Sequence, residues 1–277
     1  MRAWWRDQDL RWGEHDAPTL DADDDVLVRV VLTGLCRTDV AAALGRIHCV
    51  DRCILGHEIA GFVEKIGRSV TSLREGDRVV CLPIVDGRRL GIERNGGFAE
   101  HIVLPERALV SVPAALGWRR AAFVEPVAAC LAVERAPLRG SVRVIGEGRI
   151  ATLTRRILAR LGHHDAPGPV DVAVETGGTA ASLADALHAV RPGGTVVLKS
   201  RPAAPVAMDV ADAVQRELRF HGVGWAPFPD AIAMLSGGLA VDDLLGPIYP
   251  LESLAEHLSV DESRKVFFAP DPSRCAD

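Results

Sequence analysis

The chain has 277 residues, a formal net charge of −5, 48% hydrophobic and 25% charged residues. That composition excludes intrinsic disorder, which needs low hydrophobicity and high net charge. The acidic balance excludes the basic footprint of a nucleic-acid binder, and 5% aromatic residues are too few for stacking single strands.

No stretch reaches the ~18 uncharged apolar residues of a membrane span, and the opening MRAWWRDQDL carries charge where an export leader would be apolar. Six cysteines are too few for a disulfide framework in a chain of this length. A cytoplasmic protein with reduced thiols and no membrane or nucleic-acid partner is expected. In chain order the first part reads as β: Val26–Leu32, Ile59–Ile66, Asp77–Leu82 and Phe98–Leu104, punctuated by Gly34, Gly56, Gly76, Gly96 and Pro105. Many short strands with such turn signals predict a barrel or sandwich. Trp118–Arg135 reads as helix by its spacing of apolar residues. From Pro137 the texture changes. Strands Ser141–Ile145, Val170–Glu175 and Thr195–Ser200 alternate with helices Ile150–Leu161 and Thr179–Val190, which predicts βαβ units on a parallel sheet.

Three motifs in the β-rich part offer metal ligands: Gly34-Leu35-Cys36-Arg37-Thr38-Asp39, Gly56-His57-Glu58 and Val124-Glu125-Pro126. Thiolate, imidazole and carboxylate are zinc's ligand types, and a catalytic site keeps three of them with one position open. With Gly76-Asp77-Arg78-Val79-Val80 and Gly96-Gly97-Phe98-Ala99-Glu100-His101 between them, the chain resembles the zinc alcohol dehydrogenases of the medium-chain dehydrogenase/reductase family. The likeness runs to Lys265-Val266-Phe267-Phe268. It implies an α/β protein: a GroES-like β-barrel catalytic domain over 1–137, to which 247–277 returns, and a Rossmann-type domain over 138–246.

Carried over by residue, the resemblance makes Cys36 and His57 ligands of one catalytic zinc ion. Glu58 is a third ligand or a catalytic carboxylate beside it, and Glu125 is the alternative third ligand. Thr38 matches the hydroxyl that relays the substrate's proton, and Arg37 a residue near the cofactor phosphates. Asp39 reads either as the residue that orients a ligand or as a turn cap. Ala41 stands where many relatives have a relay histidine. Cys81 alone, between Val80 and Gly96, cannot hold the structural zinc of other relatives. His48, Cys49 and Cys53 read as a loop histidine and two small thiols rather than a second metal site, and Cys130 and Cys275 as structural.

Gly146-Glu147-Gly148-Arg149-Ile150-Ala151 has the form of the dinucleotide turn, where glycines and a helix N-terminus receive the pyrophosphate. A complete fold next needs a second strand ending in an acid about 20 residues on. Here Gly162 leads through His163–Pro169 directly to Val170–Glu175, so strands 2 and 3 are missing and strand 1 becomes an edge. Arg143 within that strand reads as a guard against edge pairing, and Arg155, Arg156 and Arg160 as a solvated helix face. Loss of the adenosine subsite would remove several kcal/mol of NAD affinity. The sequence therefore predicts zinc chemistry without exchangeable NAD(P): a proton shift, elimination, hydration or cyclisation of a small polar molecule. The alternatives are an NAD(P)-dependent zinc alcohol or polyol dehydrogenase and a non-catalytic structural protein. Glu217–Trp225 resembles the strand through which family members pair, which implies a homodimer or higher homo-oligomer.

Overall fold

A computed structural model describes residues 1–202, 204–259 and 263–275. The order is β1 (Arg2–Asp7), β2 (Asp9–Glu14), β3 (Asp25–Gly34), α1 (Arg37–Ala43), β4 (Cys53–Ile54), β5 (Glu58–Ile66), β6 (Arg78–Cys81), β7 (Ile84–Val85), β8 (Arg88–Arg89), β9 (His101–Pro105), β10 (Leu109–Ser111), α2 (Trp118–Ala122) and α3 (Val124–Leu131). It continues through β11 (Val142–Ile145), α4 (Gly148–Arg160), β12 (Val170–Glu175), α5 (Ala180–Ala189), β13 (Val190–Leu198), α6 (Val210–Gln215), β14 (Arg219–Gly222) and α7 (Phe228–Ser236). It closes on β15 (Leu245–Pro250) and β16 (Lys265–Ala269). No helix among the described residues is long and apolar enough to cross a membrane.

Two compact units divide the chain: Met1–Glu125 with Asp242–Asp277, and Pro126–Val241. The first is the GroES-like unit, a mixed seven-stranded sheet in the order β10-β6-β5-β3-β16-β15 with β9 also on β3, beside a three-stranded sheet β2-β1-β4. β15 and β16 run parallel, and β16 joins β3 antiparallel. Of the segment 247–277 expected in this unit, residues 260–262 and 276–277 lie outside the described residues. The β-branched alternation in β3 forms the core: Val26, Val28 and Val30 pack with Ile59, Val63, Val79 and Ile102. Each fully buried side chain of that size contributes about 1.5–3 kcal/mol.

The predicted helix over 118–135 is broken at Phe123, and α3 begins at Val124. The break follows from Pro126: without an N–H it cannot bond back to Ala122, but it is tolerated in the first turn of a new helix.

The second unit is a shortened Rossmann-type domain, a parallel sheet in the order β11-β12-β13-β14. Val142, Val144, Val172, Val174 and Val197 pack against Ala151 and Leu158 of α4. Strands 2 and 3 of the complete fold have no counterpart among the described residues, and β11 is an edge that shares one isolated bridge, Val142 to Asp165, with the segment after α4.

Side chains take the place of the missing neighbour. Asp165 Oδ1 accepts Val144 N–H at 2.7 Å, and Asp165 Oδ2 accepts Arg155 Nε at 2.9 Å. Arg155 Nη2 donates onward to the carbonyls of Val144 and Gly146 at 2.9 and 3.1 Å, and Arg143 Nε to that of Ala166 at 2.8 Å. The edge that Arg143 was expected to guard by charge is closed by this clasp, as an orphaned backbone group requires. Arg156 and Arg160 also differ from a merely solvated face: they donate to the carbonyls of Ala240 and Gly237, both at 2.9 Å.

Candidate metal centre and cofactor turn

β3 ends at Gly34, and Cys36 caps the seven-residue helix α1. Asp39, 1% exposed, uses its two oxygens differently. Oδ2 accepts Cys36 N–H at 2.9 Å, closing the turn. Oδ1 accepts Gly56 N–H at 3.2 Å and stands 3.0 Å from His57 Nδ1. The cap and the orienting role are thus served together. A carboxylate only accepts, so Nδ1 donates to Asp39 and leaves Nε2 as the ring nitrogen able to bind a metal once it gives up its proton. Burial opposes charge on His57, but Asp39 and Cys36 outweigh it and hold the imidazole well above its usual range.

Glu58 begins β5 beside His57. Cys36, His57 and Glu58 each offer one ligand atom, and the three atoms lie within 4.8 Å of one another. Glu58 Oε1 is paired with Lys265 Nζ at 2.5 Å, and the same ammonium donates to Leu35 O at 3.0 Å. Glu58 Oε2 is buried without a hydrogen-bond partner. It lies against Gly34, where a Cβ would overlap it, so the glycine makes room for the carboxylate. Burial pushes the Glu58 carboxyl up, Lys265 pulls it down and Glu125 pushes it up again, for a net rise. A thiol, an imidazole nitrogen that binds metal once deprotonated and an orphaned carboxylate oxygen are donor types that fit a zinc ion.

The other expected residues fall around this cluster. Thr38 is half-buried, its Oγ1 3.8 Å from Cys36 Sγ. Arg37 is exposed on the first turn of α1. Glu125 is buried but outside the 4.8 Å group. His48 is exposed, and the thiols of Cys49 and Cys53 point to the carbonyls of Ile47 and Arg94. Cys81 is buried, followed by the β7–β8 hairpin.

In the second unit Gly146, at φ +122°, turns the chain out of β11, and a Cβ there would stand 2.5 Å from Thr176 Oγ1. Gly148 opens α4. At the end of β12, Glu175 organises the next turn. Its Oε1 accepts Gly177 and Gly178 N–H, both at 2.7 Å, and Ser182 Oγ at 2.6 Å, while Oε2 accepts Ser200 Oγ. Sequence reasoning missed Lys265 and Glu175. A lone lysine heading the apolar run KVFFA was the available signal for the first.

Residues 22–114 match the alcohol dehydrogenase GroES-like domain. D-xylulose reductase A of Aspergillus niger is 24% identical over 83% of this chain and 84% of its own. Galactitol 1-phosphate 5-dehydrogenase of Escherichia coli K12 is 27% identical over 55% of this chain and 50% of its own. A candidate zinc-binding dehydrogenase from Sinorhizobium meliloti 1021, crystallised with NADP, superposes with a TM-score of 0.86 at 25% identity, over 97% of this chain and 99% of that one.

These relatives correct two expectations, the non-redox reaction and the loss of NAD(P). They are reductases and dehydrogenases, and one of them holds NADP along a chain that matches this one almost end to end. The physical error lay in the weighing. The missing strands remove contacts on one edge of the sheet, whereas Gly146, the start of α4 and the carboxyl ends of β12 and β13 are all in place. Lost remote contacts weaken binding without removing the groups that meet the reacting end.

Proposed function

We propose that the chain is a member of the alcohol dehydrogenase-like medium-chain dehydrogenase/reductase superfamily and a zinc-assisted, NAD(P)-dependent dehydrogenase that interconverts a polyol and its ketose; the matched GroES-like domain and the superposed dehydrogenases support this. The observation that carries this reading is the orphaned Glu58 oxygen beside Cys36 and an Asp39-oriented His57. The polyol class follows the relatives that act on D-xylulose and on galactitol 1-phosphate.

Cys36, His57 and Glu58 would hold the metal. Bound zinc supplies a Lewis acid for the substrate oxygen, and NAD(P) the hydride carrier. Asp39 keeps His57 in the tautomer that offers Nε2, the usual work of a carboxylate behind a ligand histidine. The Thr38 hydroxyl takes the proton leaving the substrate alcohol. Ala41 has no ionisable group, so the proton continues to solvent without a relay histidine on α1. Gly146, Gly148 and the N-terminus of α4 would receive the cofactor's pyrophosphate. The chain works as a homodimer through β14, an outer strand with Phe220 exposed.

The test is to measure zinc content, then the ultraviolet absorbance of reduced nicotinamide with NAD+ or NADP+ and xylitol, sorbitol or galactitol 1-phosphate. One zinc per chain and a saturable rise, lost on chelation, are expected. No rise with any polyol and either cofactor overturns the reading. Light scattering that finds a monomer overturns the dimer.

A further inference from the structure

A cavity of about 440 Å³ opens at the amino end of the parallel sheet in the second unit, with Pro137, Arg139, Asp171, Arg191, Thr195 and Arg219 among its walls. The register of the sheet brings these residues together. Thr195 of β13 pairs with Val172 of β12 on one side and with Arg219 of β14 on the other, so the three side chains share one face. That is the α4 face: Val172 packs with Ala151 and Leu158, and Val197, two residues after Thr195, belongs to the same cluster. The chain entering β11 adds a rim at Pro137 and Arg139, held there by Ala136 and Leu138 on that cluster. Between the pairs Val170–Val190 and Val172–Thr195 the register shifts. Residues 191–194 stand opposite Asp171 alone and bulge out of the ladder, which makes the remaining wall.

The cavity is unevenly charged. Arg191 is tied down, with Nη1 3.2 Å from Asp171 Oδ1 and Nη2 donating to Pro169 O at 3.1 Å. Arg219 Nη1 donates to Gly193 O. The Arg139 guanidinium has neither a hydrogen bond nor an ion pair among the described residues. Three arginines against one aspartate leave an excess of two positive charges. Thr195 is 6% exposed, and its hydroxyl faces the cavity with no hydrogen-bond partner among the described residues. Buried hydroxyls are hydrogen-bonded as a rule, so this one serves what fills the cavity. A phosphate monoester carries about −1.5 to −2 charge at pH 7 and three acceptor oxygens, which matches the excess. Guanidinium groups hold phosphate through paired hydrogen bonds. At roughly 30 Å³ per water, the cavity exceeds the needs of a bare phosphate and falls within the size range of small-molecule sites.

We propose that this cavity binds the phosphate ester of a small molecule, at a site separate from the cofactor turn. The arginines grip the phosphate, and the Thr195 hydroxyl donates to one of its oxygens. Val142 is level with Val172 and four residues short of Gly146, so the two sites lie about 13 Å apart along the strand. The proposal does not rest on the dehydrogenase reading.

The test titrates the full chain by calorimetry with ribose 5-phosphate, and with ribose as the probe that lacks the charge, at fixed ionic strength. Binding of the ester with a Kd below about 1 mM is expected, and none of ribose. Arg139→Gln should weaken it about tenfold, the scale of one charge-assisted hydrogen bond, and Thr195→Val about fivefold. Arg139 is on the surface, so its loss leaves the fold intact; Thr195→Ala is the second variant if Thr195→Val does not fold. NADH is titrated in parallel. Its affinity should be the same in wild type and Arg139→Gln, and a wild type that binds the ester but no NADH fails the dehydrogenase reading while this one stands. The proposal is overturned if wild type does not bind the ester up to about 10 mM, or if ribose binds equally well. It is also overturned if either variant binds the ester within about twofold of wild type, since the ester then sits elsewhere, or if Arg139→Gln loses NADH affinity, since the two sites are then one.

Discussion

Lys265→Met tests the buried pair beneath the candidate metal centre. Lys265 and Glu58 are each 1% exposed, with Nζ 2.5 Å from Oε1. At that distance and an effective dielectric of ~20 the attraction is about 7 kcal/mol, most of it offset by desolvation of both ions. Removing the lysine leaves the carboxylate buried and uncompensated and takes away the ammonium that donates to Leu35 O. Breaking a buried pair in this way costs about 3–5 kcal/mol. The double variant Glu58→Gln, Lys265→Met removes both charges and should return to within about 1–2 kcal/mol of wild type. The assay is urea unfolding of the four proteins of this cycle, with chelator and again with zinc. In chelator Lys265→Met is the least stable of the four, but zinc stabilises it more than wild type, because its carboxylate has no competing ammonium. A loss below about 1 kcal/mol for Lys265→Met in chelator would refute the premise that a desolvated ion pair sits there.

Three further outcomes are expected. Asp165→Ala opens the clasp and leaves Val144 N–H without its acceptor, costing about 1–3 kcal/mol; hydrogen exchange at Val144 should quicken more than at Val172, and equal protection would count against the clasp. Thiol labelling of metal-free protein near pH 8 should modify Cys36 first, the one cysteine that is not buried. Burial pushes Cys53 up to about 12 and raises Cys81 further, so both should react only on unfolding; fast labelling of Cys53 in the native state would contradict its burial. Hydrogen bonds from Ser141, with Arg191 nearby, hold the Asp171 carboxyl below its usual value. Its stabilisation is therefore present above the unfolded value near about 3.9 and lost as pH falls through the lower folded value. Asp171→Asn should flatten the acid limb of a stability–pH curve, and an unchanged limb would disprove the coupling.

Much of the architecture was legible because it is written in local signals. The β-branched run of β3, the glycine turns and the switch at Pro137 from strands to strand–helix alternation all have periods that a sequence displays. The missing strands could be inferred from the short path between Gly162 and Val170. Cys36, His57 and Glu58 were legible as motifs, and the fold brings their ligand atoms together. What was not legible is pairing over distance. Lys265 meets Glu58 across 207 residues, and no periodicity announces it. Asp165 gave no sign of its role in the sequence, because its partners are Arg155 and the backbone of a strand whose edge status the sequence could suggest but whose closure it could not show. The functional misreading has the same root: the sequence displayed what had been removed from the cofactor side and gave no measure of what the remaining turns still hold.

The Asp165–Arg155 clasp also bears on how the second unit reaches its native state. Parallel pairing is slow when a long loop must close before any contact rewards it. Here β11 ends at Ile145 and β12 begins at Val170, so a single crossover through α4 separates the first parallel pair. The clasp itself links residues ten apart. It can form with α4 while the rest of the sheet is still open, and it then holds the Val144 backbone in the geometry that β12 must recognise. The segment becomes a nucleus that carries its own template. Substitutions at Arg155 and Asp165 should therefore slow folding more than they speed unfolding, while those at Phe220 on the last strand should do the reverse.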